Sequence, residues 1–209
     1  MRVYLETERL ILRRFTREDV DLLVALDGDP EVMRYLTGGQ PTPREAIEHD
    51  FLPAWLRYYE RGDDYGFWAA VEKGSGAFLG WFHLRPTGDA PPGEVELGYR
   101  LIRAAWGKGY ATEGSRALLD KGFRELGVRR VVASTYQDNL GSRRVMEKLG
   151  MTLVRTFRMT PAELSEGSAY DAAAKDIEIQ KDGLLDQIEE RLGQSVSDEE
   201  LFAIRFEIV

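Results

Sequence analysis

Residues 106–112 read Trp-Gly-Lys-Gly-Tyr-Ala-Thr, a two-glycine loop with the makings of an anion cradle. Without side chains at Gly107 and Gly109, main-chain N–H groups can converge on a ligand at close approach. A helix opening just after the loop adds partial positive charge at its first turn. The loop is not a Walker A sequence, because its glycine spacing and Lys-Ser/Thr pair are missing. Nor is it a dinucleotide fingerprint, since Thr112 stands where the third glycine would be. A lone Gly-x-Gly also serves as a plain surface connection, so the flanking elements must decide.

Those elements fit. From Glu94 to Leu101 the chain alternates, with Val95, Leu97, Tyr99 and Leu101 on one side and Glu94, Glu96, Gly98 and Arg100 on the other, a strand signal. From Ala111 the period lengthens, and Leu118, Leu119, Phe123 and Leu126 share a helical face. A similar unit follows. Arg130 to Tyr136 is a β-branched strand, and Asp138-Asn139 opens a short helix carrying Leu140, Val145, Met146 and Leu149, stopped by Gly150. Asn139, Ser142, Arg143 and Met146 fall at i, i+3, i+4 and i+7, on one face of that helix. Asn139 also suits a plain N-cap, and Ser142 a solvated first-turn position. Arg143 and Arg144 near a helix start are mildly unfavourable without an anion beside them; for Arg144 a solvated face is the simpler account.

The rest of the chain reads as α/β. Glu8 to Phe15 has strand spacing, and Thr16 with Asp19 forms a capping-box start for a helix buried through Val20, Leu23, Val24 and Leu26. Asp29-Pro30 starts a second helix, ended by Gly38-Gly39. Arg44 to Arg61 is a longer helix that Pro53 should kink or split. Phe67–Glu72 and Phe78–Leu84 form a hairpin through Lys73 to Ala77. Met151 to Met159 is a strand, 160–175 a loop, and Asp176 to Gln180 a further strand. Beyond it, Leu184, Leu185, Ile188 and Leu192 suit a helix and Leu201 to Val209 a terminal strand. Hairpins alternating with helical crossovers make the sheet mixed in direction.

Composition sets the outer bounds. A chain of 209 residues fits one domain with a sizeable core, or one domain with a tail. No cysteine means no disulfide, thiolate metal site or Cys nucleophile, and two histidines, His49 and His83, argue against a His-rich metal site. The first residues lack the apolar core of a signal peptide and no apolar run reaches spanning length, so a soluble, cytoplasmic protein is expected. A net charge of −8 argues against general nucleic-acid binding and tolerates a cationic substrate.

Taken together, strand–WGKGYAT–helix and strand–Asn139-Leu140-Gly141-Ser142–helix–Glu147-Lys148-Leu149-Gly150 resemble the GCN5-related N-acetyltransferase (GNAT) superfamily. The stretches Thr7 to Phe15 and Asp29 to Leu36 resemble its ribosomal-protein-alanine N-acetyltransferase branch. The likeness covers roughly residues 5–180, and implies a GNAT domain over 1–180 with 181–209 as a C-terminal extension. It implies a mostly antiparallel twisted sheet, helices on both faces and a splayed central strand pair.

The same likeness implies acetyl-coenzyme A (acetyl-CoA) as co-substrate, with no metal. The amides of Gly107, Lys108, Gly109, Tyr110, Ala111 and Thr112 would hold its pyrophosphate, and Leu101, Ile102 and Arg103 would pair with the pantetheine arm. Asn139, Ser142 and Arg143 would face the coenzyme. Where much of the superfamily has a tyrosine to protonate the departing thiolate, this chain has Met146, a thioether with no proton to give; Ser142 is the nearest hydroxyl. Ala104 stands where the superfamily loop often begins with Gln or Arg.

The implied reaction is direct attack by a primary amine in a ternary complex, the amine being a protein N-terminus or a small molecule. An amine of pKa about 10 arrives protonated and must lose a proton. Glu96 is the candidate base, with Glu94 or water as alternatives, and either glutamate could instead pair with Arg100. The Leu101 or Ile102 amide could polarise the carbonyl. His83 suits a base as well as a hydrogen-bonded structural residue. Trp55, Tyr58, Tyr59, Trp68 and Trp81 suit the core or the acceptor wall. The regions 37–44 and 160–174 would border the acceptor. A homodimer is the candidate assembly, with no membrane partner. The rival from another class is a non-catalytic acyl-CoA sensor of the same fold.

Overall fold

Alternation over Glu94–Leu101 is realised as a strand with Val95 and Leu97 buried, and it lies near the middle of an eight-stranded sheet. The computed structural model describes residues 2–86, 91–158 and 202–209. In chain order the strands are β1 (Val3–Glu6), β2 (Leu10–Arg14), β3 (Gly66–Glu72), β4 (Phe78–Arg85), β5 (Glu94–Leu101), β6 (Arg130–Tyr136), β7 (Thr152–Arg158) and β8 (Phe202–Ile208). Across the sheet they run β1-β2-β3-β4-β5-β6-β8-β7. Every neighbouring pair is antiparallel except β5 and β6, which are parallel because the helical crossover between them returns the chain to the same end of the sheet.

Two departures from the sequence reading concern strands. β1 was not expected; it pairs with β2 as a sheet edge, and its short, half-exposed run carries little periodic signal. The terminal strand expected over Leu201 to Val209 forms as β8, but it is inserted between β6 and β7, so part of the expected extension belongs to the sheet. The loop at 160–175, the strand at 176–180 and the helix at 184–192 lie outside the described residues.

Helices cover both faces. On one lie α1 (Val20–Asp27), α2 (Pro30–Met33), α3 (Arg44–Ala46) and α4 (Leu52–Tyr58); on the other lie α5 (Tyr110–Glu125) and α6 (Leu140–Lys148). The sheet is therefore apolar on both sides. In β3, Phe67 and Ala69 join Leu23, Leu26 and Trp55 in one core, while Trp68 and Ala70 join Leu10, Leu118 and Val131 in the other. Thr16 and Asp19 make the expected capping box, and Asp29 accepts from the Glu31 amide at 3.0 Å. Pro53 splits the long helix as expected. Lacking an N–H, it cannot continue the regular ladder, and a π turn over Ile47–Phe51 joins α3 to α4.

Candidate active site

β5 and β6 pair only at Glu94–Arg130, Val95–Val131 and Glu96–Val132. Beyond that point residues 97–101 keep β4 as their partner and residues 133–136 keep β8, so the two strands part. A cavity of about 970 Å³ occupies the gap and reaches both faces of the sheet.

At one end stands the two-glycine loop. Gly107 and Gly109 have left-handed backbones (φ 72° and 86°), which admit the reversal from the Arg103–Ala105 turn into α5. No side chain caps α5. Glu113, in its first turn, is turned outward instead: it accepts from Thr7 Oγ1 at 2.5 Å, the Arg9 amide at 2.9 Å and Arg9 Nε at 2.6 Å. Burial pushes the Glu113 carboxyl up, but the hydrogen bonds from Thr7 and Arg9 outweigh it and hold it below the usual range. Arg9 also donates to the Lys108 carbonyl at 2.9 Å, bracing the loop from behind. The helix N-terminus is thus left without an acceptor of its own, the arrangement that receives an anion.

The second helix supplies a hydroxyl. Asn139 does cap α6, accepting the Ser142 amide at 3.1 Å, and both residues line the cavity. Ser142 Oγ lies 3.0 Å from the hydroxyl of Tyr99, which enters from β5. Burial drives the Tyr99 phenol up to about 12, against the opposing pull of its Ser142 hydrogen bond, so it stays protonated at working pH. Met146 is buried in the core.

The opposite face carries charge. Arg85 donates to Glu96 at 2.9 Å, and His83 Nε2 is 3.8 Å from the same carboxylate oxygen. That gap is too long for a hydrogen bond. Burial, then Arg85 and Arg100, holds His83 well below the ordinary imidazole range, so the ring is neutral. Arg100 pairs with buried Asp27 at 2.5 Å, and Thr42 donates to the same aspartate at 2.9 Å. Glu94 takes Arg205 at 3.0 Å and lies 3.4 Å from Arg130 Nε. The Ile102 amide donates to the Leu79 carbonyl at 2.9 Å, which removes it as a carbonyl-polarising donor.

A family model described as an acetyltransferase (GNAT) domain matches residues 9–152. This chain belongs to the GNAT acetyltransferase family. A curated relative, the FsC-acetyl coenzyme A-N(2)-transacetylase of Aspergillus fumigatus, is 36% identical over 161 residues, or 73% of this chain and 66% of that protein. YkkB of Bacillus subtilis, whose function is uncharacterised, is 34% identical over 172 residues, spanning 80% of this chain and 96% of its own. Among solved structures, a GNAT acetyltransferase from Bacillus anthracis aligns over 100% of this chain and 98% of its own (TM-score 0.67, 20% identity). RimL, a ribosomal alpha-N-protein acetyltransferase solved with coenzyme A, aligns over 99% and 97% (TM-score 0.70, 14% identity). These two likenesses concern the fold.

A GNAT enzyme takes its acetyl group from acetyl-CoA, and the cavity suits that molecule. The α5 N-terminus is uncapped, a Cβ at Gly107 would meet nothing within 4 Å, and the gap between β5 and β6 is continuous with both. Of the residues expected at the GNAT site, Glu96, Leu101, Gly107, Gly109, Ala111, Thr112, Asn139 and Ser142 line this cavity. Ile102 packs against both cores. Arg103 Nε sits 3.3 Å from Asp29, and Arg143 donates to the Gln137 carbonyl at 3.1 Å. Lys108 has its carbonyl held by Arg9, and the Tyr110 hydroxyl donates to Glu72, so for Tyr110 the main-chain amide is the group left for the loop. Sequence reading missed Tyr99, Arg85 and Trp106 as site residues. Trp106, half exposed on the rim, donates its indole N–H to the Leu101 carbonyl at 2.8 Å. Tyr99 could have been found by asking which strand residue points at the helix face bearing Ser142. Among the described residues no helix is long and apolar enough to cross a membrane.

Proposed function

We propose that the protein transfers the acetyl group of acetyl-CoA to a primary amine by direct attack in a ternary complex. The observation that carries this reading is the breach between β5 and β6, with an uncapped helix start on one side and the Glu96–Arg85 pair on the other. Acetyl-CoA would supply the activated carbonyl and the leaving thiol. The amides of Gly107 to Thr112 would hold its diphosphate, and the end of β5 at Leu101 together with Asn139 would flank the pantetheine arm. Ser142, hydrogen-bonded to Tyr99, would offer a proton where the thiolate departs. Glu96, fixed by Arg85, would attract the acceptor ammonium on the opposite face, from which the surplus proton leaves.

The acceptor is a small-molecule amine or a protein N-terminus. A nitrogen acceptor is supported by the fungal relative, which is named as an acetyl coenzyme A-N(2)-transacetylase. Coenzyme A release, followed with a thiol reagent against α-amino acids, polyamines and short peptides with free N-termini, tests the proposal. Amine-dependent release, with N-acetyl product by mass spectrometry, is the expected result. Tight acetyl-CoA binding without turnover on any amine would refute transfer and favour the sensor.

A further inference from the structure

His83 is a buried polar side chain with no part in the proposed transfer. It lies on β4 opposite Gly98 of β5, and its imidazole crosses that glycine: a Cβ built on Gly98 would stand 2.4 Å from His83 Nε2. Pairing between β5 and β6 ends at Glu96, so Gly98 is at the lip of the breach, and the missing side chain lets the ring reach it. Both ring nitrogens are buried and lack a hydrogen-bond partner among the described residues, although the ring lines the cavity beside Glu96. A buried polar group left unsatisfied destabilises the fold, and a ligand's hydrogen bond would offset that.

We infer that His83 Nε2 accepts the proton of the attacking amine, an inference that rests on the acetyl-transfer reading. The carbon–nitrogen bond forms and the carbon–sulfur bond breaks, its electron pair leaving on sulfur. One N–H proton passes to Nε2, and the sulfur takes one from Ser142. Water returns the imidazolium proton to Ser142 after the amide leaves. Glu96, 3.8 Å from Nε2, stabilises the transient imidazolium, while burial, then Arg85 and Arg100, keeps the resting ring neutral; Asp27 pairs with Arg100. Phe67 of β3 adds an edge-on aromatic contact and no charge.

His83→Gln should lower kcat by about 100-fold or more while leaving acetyl-CoA affinity within about twofold. The unaltered protein should show a rise of kcat with pH below neutrality that reports deprotonation of the ring, and the variant should lose it. Gly98→Ala is the independent test if that variant folds poorly. Gly98 is not one of the left-handed glycines, so alanine meets no backbone strain; it meets Nε2 and displaces the ring. A further readout needs no turnover. With two histidines in the chain, the His83 imidazole proton can be followed by NMR, and it should shift when coenzyme A joined through an acetyl bridge to the acceptor amine is bound. Turnover within threefold of normal in either variant, or an unmoved resonance, overturns the role of His83 alone. Absence of coenzyme A release by the unaltered protein with every amine overturns the transfer reading and His83 with it.

Discussion

Replacing Tyr99 by Phe removes one oxygen and leaves the ring in place, so it isolates the hydroxyl that stands 3.0 Å from Ser142 Oγ. A neutral hydrogen bond in a largely buried site contributes about 0.5–1.5 kcal/mol, which corresponds to roughly 2- to 13-fold in a rate constant. If the phenol donates to Ser142 and so aims the serine proton at the leaving sulfur, Tyr99→Phe should lower kcat by about that factor and leave acetyl-CoA affinity alone. Ser142→Ala should cost more. Added to Ser142→Ala, the Tyr99 change should cost almost nothing further, because the group it acts through is gone. The assay is kcat at saturating acetyl-CoA for the four members of the cycle, with urea melts to separate turnover from folding. Independent, multiplying losses would refute the coupling, as would a kcat unaffected by Tyr99→Phe. Alkali gives a second check. Burial raises the Tyr99 phenol to about 12 from an ordinary value near 10, so its contribution to folding is whole below pH 10 and is lost as pH rises through 12. Tyr99→Phe should remove that share of the alkaline loss, while the share of Tyr136, raised to about 12 by burial, persists.

Two further substitutions probe the frame around the site. Gly109→Asp forces a side chain onto a left-handed backbone, 3.4 Å from Arg9 Nη2, and adds a negative charge to the loop that should hold the diphosphate. Calorimetric titration should show acetyl-CoA affinity falling at least about 100-fold, and an unchanged Kd would exclude the loop from binding. Asp27→Ala leaves the Arg100 guanidinium buried without its carboxylate, at a cost of about 3–5 kcal/mol. For a chain of this length that lowers Tm by roughly 10 °C, and a shift under about 3 °C would show the pair to be dispensable.

What the sequence made legible was local. The alternation over Glu94–Leu101, the capping box at Thr16, the Asn139 cap and the break at Pro53 each rest on neighbours within a few positions, and each stands in the structure. The partnerships Arg85–Glu96, Arg100–Asp27 and Tyr99–Ser142 join residues on different elements, and no spacing rule encodes them. Arg100 shows why: its place on the face with Glu94 and Glu96 was evident, but a helix residue 73 positions away took its charge. His83 was ambiguous for the same reason, since the significance of its ring depends on the glycine opposite it on β5. Tyr99 was assigned to the core face, and it does lie there, with its hydroxyl meeting the helix above.

The place of β8 bears on how the chain is made. A ribosome delivers β6 and β7 well before residues 202–208, and until these emerge the two earlier strands expose facing edges with nothing to zip them. Closure must then draw together segments separated by residues 159–201, a long excursion that slows folding more than it weakens the product. During that wait the nascent sheet is a template for any other extended peptide, so this protein's vulnerability to aggregation is concentrated in the interval before synthesis passes residue 208.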